Sequence, residues 1–248
     1  MNQTPQGGFV YMPEFNIGFV LNRSFEVIIS HPLAFFGLTA IATLPTIFLM
    51  LISPPTLAGP NVAVILIPVA IGGFFSLAIQ GAIAFGVYDA LRGEDVSIVD
   101  CLVTGFSRIL SIFLASLAAG LCLGIGLMLL IIPGLIILTM IFVAIPACTV
   151  EKMGPIECLN RSAELTKGNR LKVLGLIVIY TLMTMIIDFL SGFITETVSA
   201  SPMAAFYINQ IVSILPTTFY SVMVGVAYFD LRSNLEGVDV GSLANVFD

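Results

Sequence analysis

Few side chains in this chain could do chemistry inside an apolar segment, and Asp188 is the clearest of them. A carboxylate within a membrane span costs roughly 2.5–3.5 kcal/mol on insertion scales, so such a residue is a candidate for cation binding or proton relay. Gln80, preceded by Pro68 and Gly72-Gly73, could mark a broken helix whose backbone lines a polar cavity. The alternatives are that Asp188 reaches the outer interface and that these Gly and Pro residues only shape helix packing.

Catalytic and metal-binding groups are hard to assemble from the rest of the sequence. The single histidine, His31, sits beside Pro32 where an apolar run begins, and any Ser–His or Cys–His catalytic pair would have to use it. Glycine-rich runs lack the Lys and Ser/Thr of a phosphate loop. The sequence therefore predicts no enzyme, no metal and no cofactor. The cysteines lack metal-ligand spacing and are predicted to be reduced structural thiols: Cys101, Cys122, Cys148 and Cys158.

A second group of polar residues lies beside the apolar runs rather than within them. Arg23 and Glu26 are three residues apart, as are Arg161 and Glu164, so each pair can meet on one helix face for about 0.2–0.5 kcal/mol. Their recurrence suggests a geometric role, such as docking on the segments 89–92 and 230–232 or presentation to lipid headgroups. The alternative is a plain solvated charge pair. The full set of candidates for these roles is Arg23, Glu26, Arg92, Arg161, Ser162, Glu164, Gly168, Asn169, Arg170 and Arg232.

The apolar composition predicts that membrane-spanning helices position these residues. Of 248 residues, 58% are hydrophobic and 10% charged, against about 25% charged in soluble domains. Six runs approach the roughly 20 residues that cross a bilayer, which predicts an all-α membrane bundle of one domain. The predicted spans are Leu33–Ile52, Val62–Tyr88, Ile109–Ile131, Leu135–Val150, Val173–Phe193 and Ala205–Phe229.

The central hairpin of this bundle carries two further predictions. The third and fourth spans are separated only by Ile132-Pro133-Gly134, which is expected to form a tight turn. Gly120 and Gly124 form a GxxxG pattern on the third span, which predicts close packing against another helix.

The distribution of Lys and Arg predicts the orientation. With six spans, all 9 Lys and Arg residues fall on one face, and the positive-inside rule makes that face cytoplasmic, with both termini. The expected partners are membrane lipids, together with other membrane proteins. No basic arm or recognition helix indicates nucleic acid.

The sequence also contains an internal duplication. Leu21-Asn22-Arg23-Ser24 recurs 138 residues later as Leu159-Asn160-Arg161-Ser162, and Tyr88-x-x-Leu91-Arg92 is echoed by Tyr228-x-x-Leu231-Arg232. These identities predict a parallel repeat of a short amphipathic segment plus two spans, over about 16–100 and 155–247, around a central hairpin at about 105–150.

Each amphipathic segment is predicted to be a helix. The first has its apolar stripe at Ile17, Leu21, Phe25 and Ile28, and the second ends at Gly168 as a C-terminal cap. Such helices either lie along the membrane interface or serve as connecting helices packed on the bundle.

One stretch of the second copy has a recognisable pattern, namely Gly154-Pro155-Ile156-Glu157, Arg161-Ser162 and Glu164-Leu165-Thr166-Lys167-Gly168-Asn169-Arg170. It resembles the bacterial inner-membrane family that contains the membrane domain of glycerophosphoryl diester phosphodiesterases and its stand-alone relatives. In the fused relatives the catalytic barrel is a separate soluble portion, so the resemblance implies a membrane module rather than an enzyme.

These observations favour a non-enzymatic membrane protein that handles a lipid or another amphiphile, or that acts as a membrane scaffold stabilising partner proteins. The alternative is a small-solute or ion transporter with a path between the two repeats, lined by Asp188 and Gln80. A polar cavity that reaches Asp188 would favour transport, whereas a packed centre with lateral grooves would favour lipid handling.

Overall fold

The computed structural model describes residues 15–52, 63–198 and 202–236, and their regular structure is entirely helical. The helices are α1 (Ile17–Ser30), α2 (Pro32–Ile52), α3 (Ala63–Arg92), α4 (Ile98–Ser107), α5 (Ile109–Leu129), α6 (Ile131–Ile141), α7 (Ala144–Val150), α8 (Pro155–Leu165), α9 (Arg170–Val198), α10 (Pro202–Val212) and α11 (Ile214–Glu236).

Six of the described segments are long and apolar enough to cross a bilayer, which confirms the predicted all-α membrane bundle. They are Pro32–Ile52, Leu66–Arg92, Ile109–Leu129, Ile131–Val150, Arg170–Thr197 and Met203–Glu236. Two helices continue past the predicted span ends, by four residues to Arg92 and by seven residues to Glu236, because polar residues can continue a helix that has reached the interface.

The central hairpin turns earlier than predicted. Leu130 is extended, with φ −167° and ψ 151°, and it alone separates α5 from α6. Pro133 therefore falls in the first turn of α6, where a missing backbone donor is tolerated. Gly134 lies against Gly126, and a Cβ placed on Gly126 would be 3.2 Å from the Gly134 Cα, so the absence of side chains permits the tight reversal.

The fourth span is discontinuous, which the hydropathy pattern did not indicate. The helix is interrupted at Phe142 and Val143, between α6 and α7. The Ser162 hydroxyl of α8 donates to the Met140 carbonyl at 2.6 Å and accepts from the Val143 N–H at 3.2 Å. A buried serine from another helix thus satisfies the backbone groups that the break releases.

The core is built around α3 and α11, which pack against each other and against α2 and α7. Gly225 of α11 allows this approach, since a Cβ there would lie 3.1 Å from the Val87 side chain. The buried Thr218 hydroxyl donates to the Thr39 hydroxyl at 2.8 Å and links the sixth span to the first. The largest buried side chains of this core include Tyr228, Phe35 and Met223.

Helix α9 lies at the periphery of the bundle. It contacts α6, α10 and α1, and only 11% of its most apolar window is buried. Much of its surface is therefore available to the surrounding acyl chains.

Both amphipathic helices pack on the bundle, and their position at the membrane interface stays a prediction. Helix α8 buries Cys158, Ser162 and Leu165 against α5, α6 and α7. The buried face of α1 is Val20, Ser24, Val27 and Ile28, whereas Phe25 remains 52% exposed, so the predicted stripe was wrong by about one residue position.

The cysteine prediction was also wrong in part. Cys148 of α7 and Cys158 of α8 form a disulfide, while Cys101 and Cys122 are free thiols. No sequence pattern indicated this pair, because the approach of the two cysteines depends on the turn between the two helices.

The order of the elements is what the predicted duplication would produce: a short helix followed by two spans occurs at α1–α3 and again at α8–α11. The surroundings of the two short helices differ, because α1 packs mainly on α11 while α8 packs in the central hairpin. The domain and repeat boundaries stay predictions.

Candidate functional site

The cationic side chains of the chain gather at one end of the bundle, here called the basic end. Arg108 donates to the Lys152 carbonyl at 3.4 Å, next to Glu151, which binds Arg161. Arg232 lies 6.0 Å from the Tyr88 ring centroid, over which Arg92 also lies, at 5.5 Å. The aqueous boundary at this end is thus defined by residues from several helices.

Five side chains at the basic end form a closed ring of hydrogen bonds and ion pairs. Glu151 accepts Arg161 Nε on both oxygens, at 3.0 and 3.1 Å, and the Tyr228 hydroxyl at 2.7 Å. The Tyr228 oxygen accepts from Arg232 Nη1 at 3.3 Å, and Arg232 Nε donates to Glu236 at 2.9 Å. Glu236 also pairs with Arg161 Nη2, which closes the ring.

The ring is electrically balanced and largely shielded from water. Two arginines face two carboxylates around a neutral phenol, and the Glu151 and Arg161 side chains are only 8% and 15% exposed. Burial lowers the pKa of Arg161, but the carboxylates of Glu151 and Glu236 together raise it above its usual value. Its charge is therefore permanent and committed to holding α8 and the α7–α8 turn against the end of α11.

The predicted Arg161–Glu164 pair is present, at 3.4 Å, as a minor part of this arrangement. Arg161 also reaches the end of α11, but its contact there is Glu236, four residues beyond the predicted segment 230–232. Sequence reasoning did not identify Glu151, although its position directly after the fourth span was a usable signal.

Arg23 of α1, the counterpart of Arg161 in the predicted repeat, also approaches α11. Its guanidinium lies 5.5 Å from the Phe229 ring centroid and 5.4 Å from that of Phe19. Burial lowers the pKa of Arg23, while the charges of Asp230 and Glu26 oppose that effect. Glu26 accepts a hydrogen bond from the Asn22 side chain at 3.2 Å. The two arginines at equivalent positions of the predicted repeat thus both contact α11.

The remaining candidates at the basic end have distinct environments. Arg92 pairs with Glu94 at 3.4 Å, as Arg232 does with Glu236. Gly168 has φ +88°, which confirms the left-handed cap that separates α8 from α9. Asn169 precedes α9 and lines a cavity of about 440 Å³, and Arg170, whose Nε is buried, is the first residue of that helix.

That cavity, here called the basic pocket, lies between the α8–α9 turn, the start of α1 and the end of α11. Its polar lining consists of two lysines and two asparagines, and its walls are apolar. The lining residues are Phe15, Leu165, Lys167, Asn169, Lys172, Leu231, Asn234 and Leu235. Sequence reasoning placed the two lysines on this face but did not select them.

The two intramembrane candidates, Asp188 and Gln80, lie on different helices and do not form a common site. Asp188 is exposed on α9, and Gln80 is half-buried on α3, where it donates to the Ser76 hydroxyl at 3.4 Å. Gln80 borders a void of only about 20 Å³ between α3, α7 and α11, about enough for one water molecule. Among the described residues, no group of three or more His, Cys, Asp and Glu side chains could hold a metal ion.

A lateral groove of about 290 Å³ runs between α5, α6, α7, α9 and α11. Its walls are mainly apolar and include Ala119, Leu138 and Ile177, with Tyr220 at its inner side. Gly120 is exposed in this groove, and a Cβ placed there or on Gly124 would meet nothing within 4 Å. The GxxxG prediction of close helix packing was therefore wrong: Gly120 keeps a groove open, and Gly124 faces open space.

The six spans and the basic end define a multi-pass α-helical membrane protein. Comparison of the chain with protein-family models, with curated proteins and with solved structures gives no match. The resemblance to the membrane domain of glycerophosphoryl diester phosphodiesterases stays a prediction.

Proposed function

We propose that this protein is a non-enzymatic inner-membrane protein that holds the acyl chain of a membrane lipid, or of a similar amphiphile, in the lateral groove. The observation that carries the proposal is the contrast between this apolar groove of about 290 Å³ and the void of about 20 Å³ beside Gln80. The space beside Gln80 inside the bundle is small, and the larger of these two spaces opens on the side of the bundle.

The groove has the chemistry that an acyl chain requires. Its volume is near the lower end of the roughly 300–1,000 Å³ of small-molecule sites, and its lining is largely hydrocarbon. The neighbouring Leu117 and Leu121 of α5 are exposed, as expected for side chains that face lipid. In a bilayer the surrounding medium itself supplies chains that can enter such an opening.

Transport between the two repeats is the weaker alternative. It would need a polar path that includes Asp188, yet Asp188 is exposed on a peripheral helix and the space beside Gln80 is small. A scaffolding role would use the outer surface of α9 and needs no groove. The proposed orientation, with the basic end in the cytoplasm, rests on the positive-inside rule. We also propose that the chain belongs to the family of the glycerophosphoryl diester phosphodiesterase membrane domain.

The groove can be tested by filling it. We would purify the chain from native membranes as wild type, Gly120→Phe and Gly124→Phe, and identify the retained lipid by mass spectrometry. Both glycines lie on α5 with open space around a Cβ, but only Gly120 lines the groove. Gly120→Phe should lose the retained lipid, and Gly124→Phe should keep it.

Two results would count against the proposal. One is equal lipid retention in the wild type and in Gly120→Phe. The other is solute flux in proteoliposomes that Asp188→Asn or Gln80→Leu abolishes while Gly120→Phe leaves it intact, because that result would favour the transport alternative.

A further inference from the structure

Helix α9 carries a carboxylate on a surface that is otherwise apolar. Asp188 is exposed, and its neighbours Met185 and Phe189 are 62% and 76% exposed. Along the helix, Asp188 lies about 24 Å from Lys172 and about 12 Å from Glu196. These two flanking charges are about 36 Å apart, slightly more than the roughly 30 Å of the hydrocarbon layer. With both at the interfaces, Asp188 lies within the hydrocarbon, about 9 Å from the boundary opposite the basic end.

The chain itself supplies no cation for this carboxylate. All 9 Lys and Arg residues belong to the described ranges, and none of them forms an ion pair with Asp188. They gather at the basic end, and the nearest along α9 is Lys172. Long Lys and Arg side chains reach the interface from within a membrane, but the side chain of Asp is too short to do so from this depth. Because charges inside a membrane pair with one another, the cation must come from another molecule.

The surroundings of Asp188 suit a helix as that molecule. Gly192, one turn further along α9, has open space around a Cβ, so that the backbone of a partner helix can come close there. Asn209 of α10 is exposed, and its side-chain oxygen lies 3.2 Å from the hydroxyl of Ser191, which places an amide within one turn of Asp188. Small residues and polar side chains are what join helices within a membrane. The surface formed by Met185, Asp188, Gly192 and Asn209 is here called the α9 face.

We infer that the α9 face binds a transmembrane helix of another protein, which places a Lys or Arg opposite Asp188. A second copy of this chain does not meet the requirement, because copies inserted in the same orientation carry all their cations at the basic end. The ammonium group of a lipid belongs to the headgroup layer, outside the hydrocarbon in which Asp188 lies. This inference goes beyond the proposed function and does not depend on the lateral groove.

The test is photo-cross-linking of the full chain in its native membranes. The photoreactive residue p-benzoylphenylalanine replaces Phe189, next to Asp188, or Phe48 of α2, which is 60% exposed on a different span and is the matched control. The adducts are identified by mass spectrometry. We expect position 189 to give an adduct with a protein that has a Lys or Arg inside a transmembrane segment, and position 48 not to cross-link that protein.

Variants at position 188 assign the contact to the charge. Asp188→Asn should reduce the adduct about tenfold, the order of magnitude for one polar contact between membrane helices, whereas Asp188→Glu should keep it within about threefold. Glu196→Gln removes an exposed carboxylate from the same helix, at the interface, and should leave the adduct unchanged. The amount of each variant in the membrane and its melting temperature in detergent separate loss of contact from loss of the fold.

An exchange of charges completes the test. Replacement of the partner's intramembrane Lys or Arg by Asp should abolish the adduct with the wild type, and Asp188→Lys should restore it. Where Asp188→Lys does not fold, the comparison of Asp188→Asn with the wild type decides.

The inference is overturned if position 189 gives no protein adduct, or adducts only with a second copy of the chain or with proteins that have no intramembrane Lys or Arg. It is also overturned if Asp188→Asn cross-links as well as the wild type, or if a folded Asp188→Lys does not restore the adduct. Retention of lipid in the lateral groove can persist in each of these cases, so the two proposals fail separately.

Discussion

Arg161 Nε lies within 3.0 and 3.1 Å of the two carboxylate oxygens of Glu151, which also accepts the hydroxyl of Tyr228. This relationship ties the turn after the fourth span to α8 and to the end of the sixth span. An arginine that the sequence suggests as a contact for lipid headgroups is instead held mainly by side chains of its own protein.

Glu151→Gln should destabilise the protein by about 2–3 kcal/mol, because Arg161 and Tyr228 would lose a charged partner in a largely buried ring. The measurement is denaturant-induced unfolding in detergent micelles. Glu164→Gln is the control: the Glu164 side chain is 61% exposed, and its loss should change stability by less than about 0.5 kcal/mol. Equal effects of the two substitutions would contradict the ring.

Ser162→Ala should destabilise the protein by about 1–3 kcal/mol, since the Met140 carbonyl and the Val143 N–H at the break would lose their hydrogen-bond partner. Its counterpart in the predicted repeat, Ser24, donates only to the Val20 carbonyl within its own helix. Ser24→Ala should therefore cost less than about 1 kcal/mol. Comparison of the two variants by thermal unfolding checks this, and a larger effect at Ser24 would refute it.

The Cys101 thiol should make stability depend on alkaline pH. Burial, with smaller effects from Asp89 and Asp100, raises its pKa to about 12. An unfolded thiol has a pKa of about 8.5, so the stabilisation is fully present below that pH and is lost as the pH rises toward 12.

Cys101→Ala should consequently flatten the fall in melting temperature above about pH 9, although the cavity lowers the melting temperature overall. Cys122→Ala is the control because Cys122 is exposed. An unchanged slope in Cys101→Ala would show that other groups cause the alkaline loss.

The orientation can be read from single cysteines introduced at opposite ends of the bundle. In a variant without native cysteines, Asn160→Cys and Thr197→Cys place exposed thiols at the basic end and near the end of α9, roughly 40 Å apart along the helices. The positive-inside rule predicts that an impermeant maleimide added to intact cells labels position 197 only.

The Cys148–Cys158 disulfide makes this test informative, since disulfides are rare in the reducing cytoplasm and this one lies near the basic end. Labelling of position 160 from outside would reverse the proposed orientation.

Hydropathy alone located the spans, because a bilayer accepts only long apolar helices whose backbone is satisfied internally. Pro32–Ile52 and Ile109–Leu129 lie within two residues of the predicted limits. The cap at Gly168 was also predictable, since a left-handed residue after a helix is most often glycine. Such features depend on local chemistry and are therefore present in the sequence itself.

The break at Phe142–Val143 and the Cys148–Cys158 pair were not predictable, because each depends on a residue brought in by another helix. The GxxxG at Gly120 is a case in which the sequence predicted a helix contact that the tertiary structure does not make. Its spacing indicates a face where a helix can approach closely, and only the arrangement of α6, α9 and α11 leaves that face open as a groove.

The sequence by itself determined that the chain crosses a membrane six times and carries its cations at one boundary, because burial of apolar length and solvation of charge act on each segment separately. The tertiary structure alone decided that Arg161 is held in a ring, that Lys167 and Lys172 share a cavity and that a groove opens on the side of the bundle. Those properties are set by distances between helices, which depend on how all the side-chain volumes pack together.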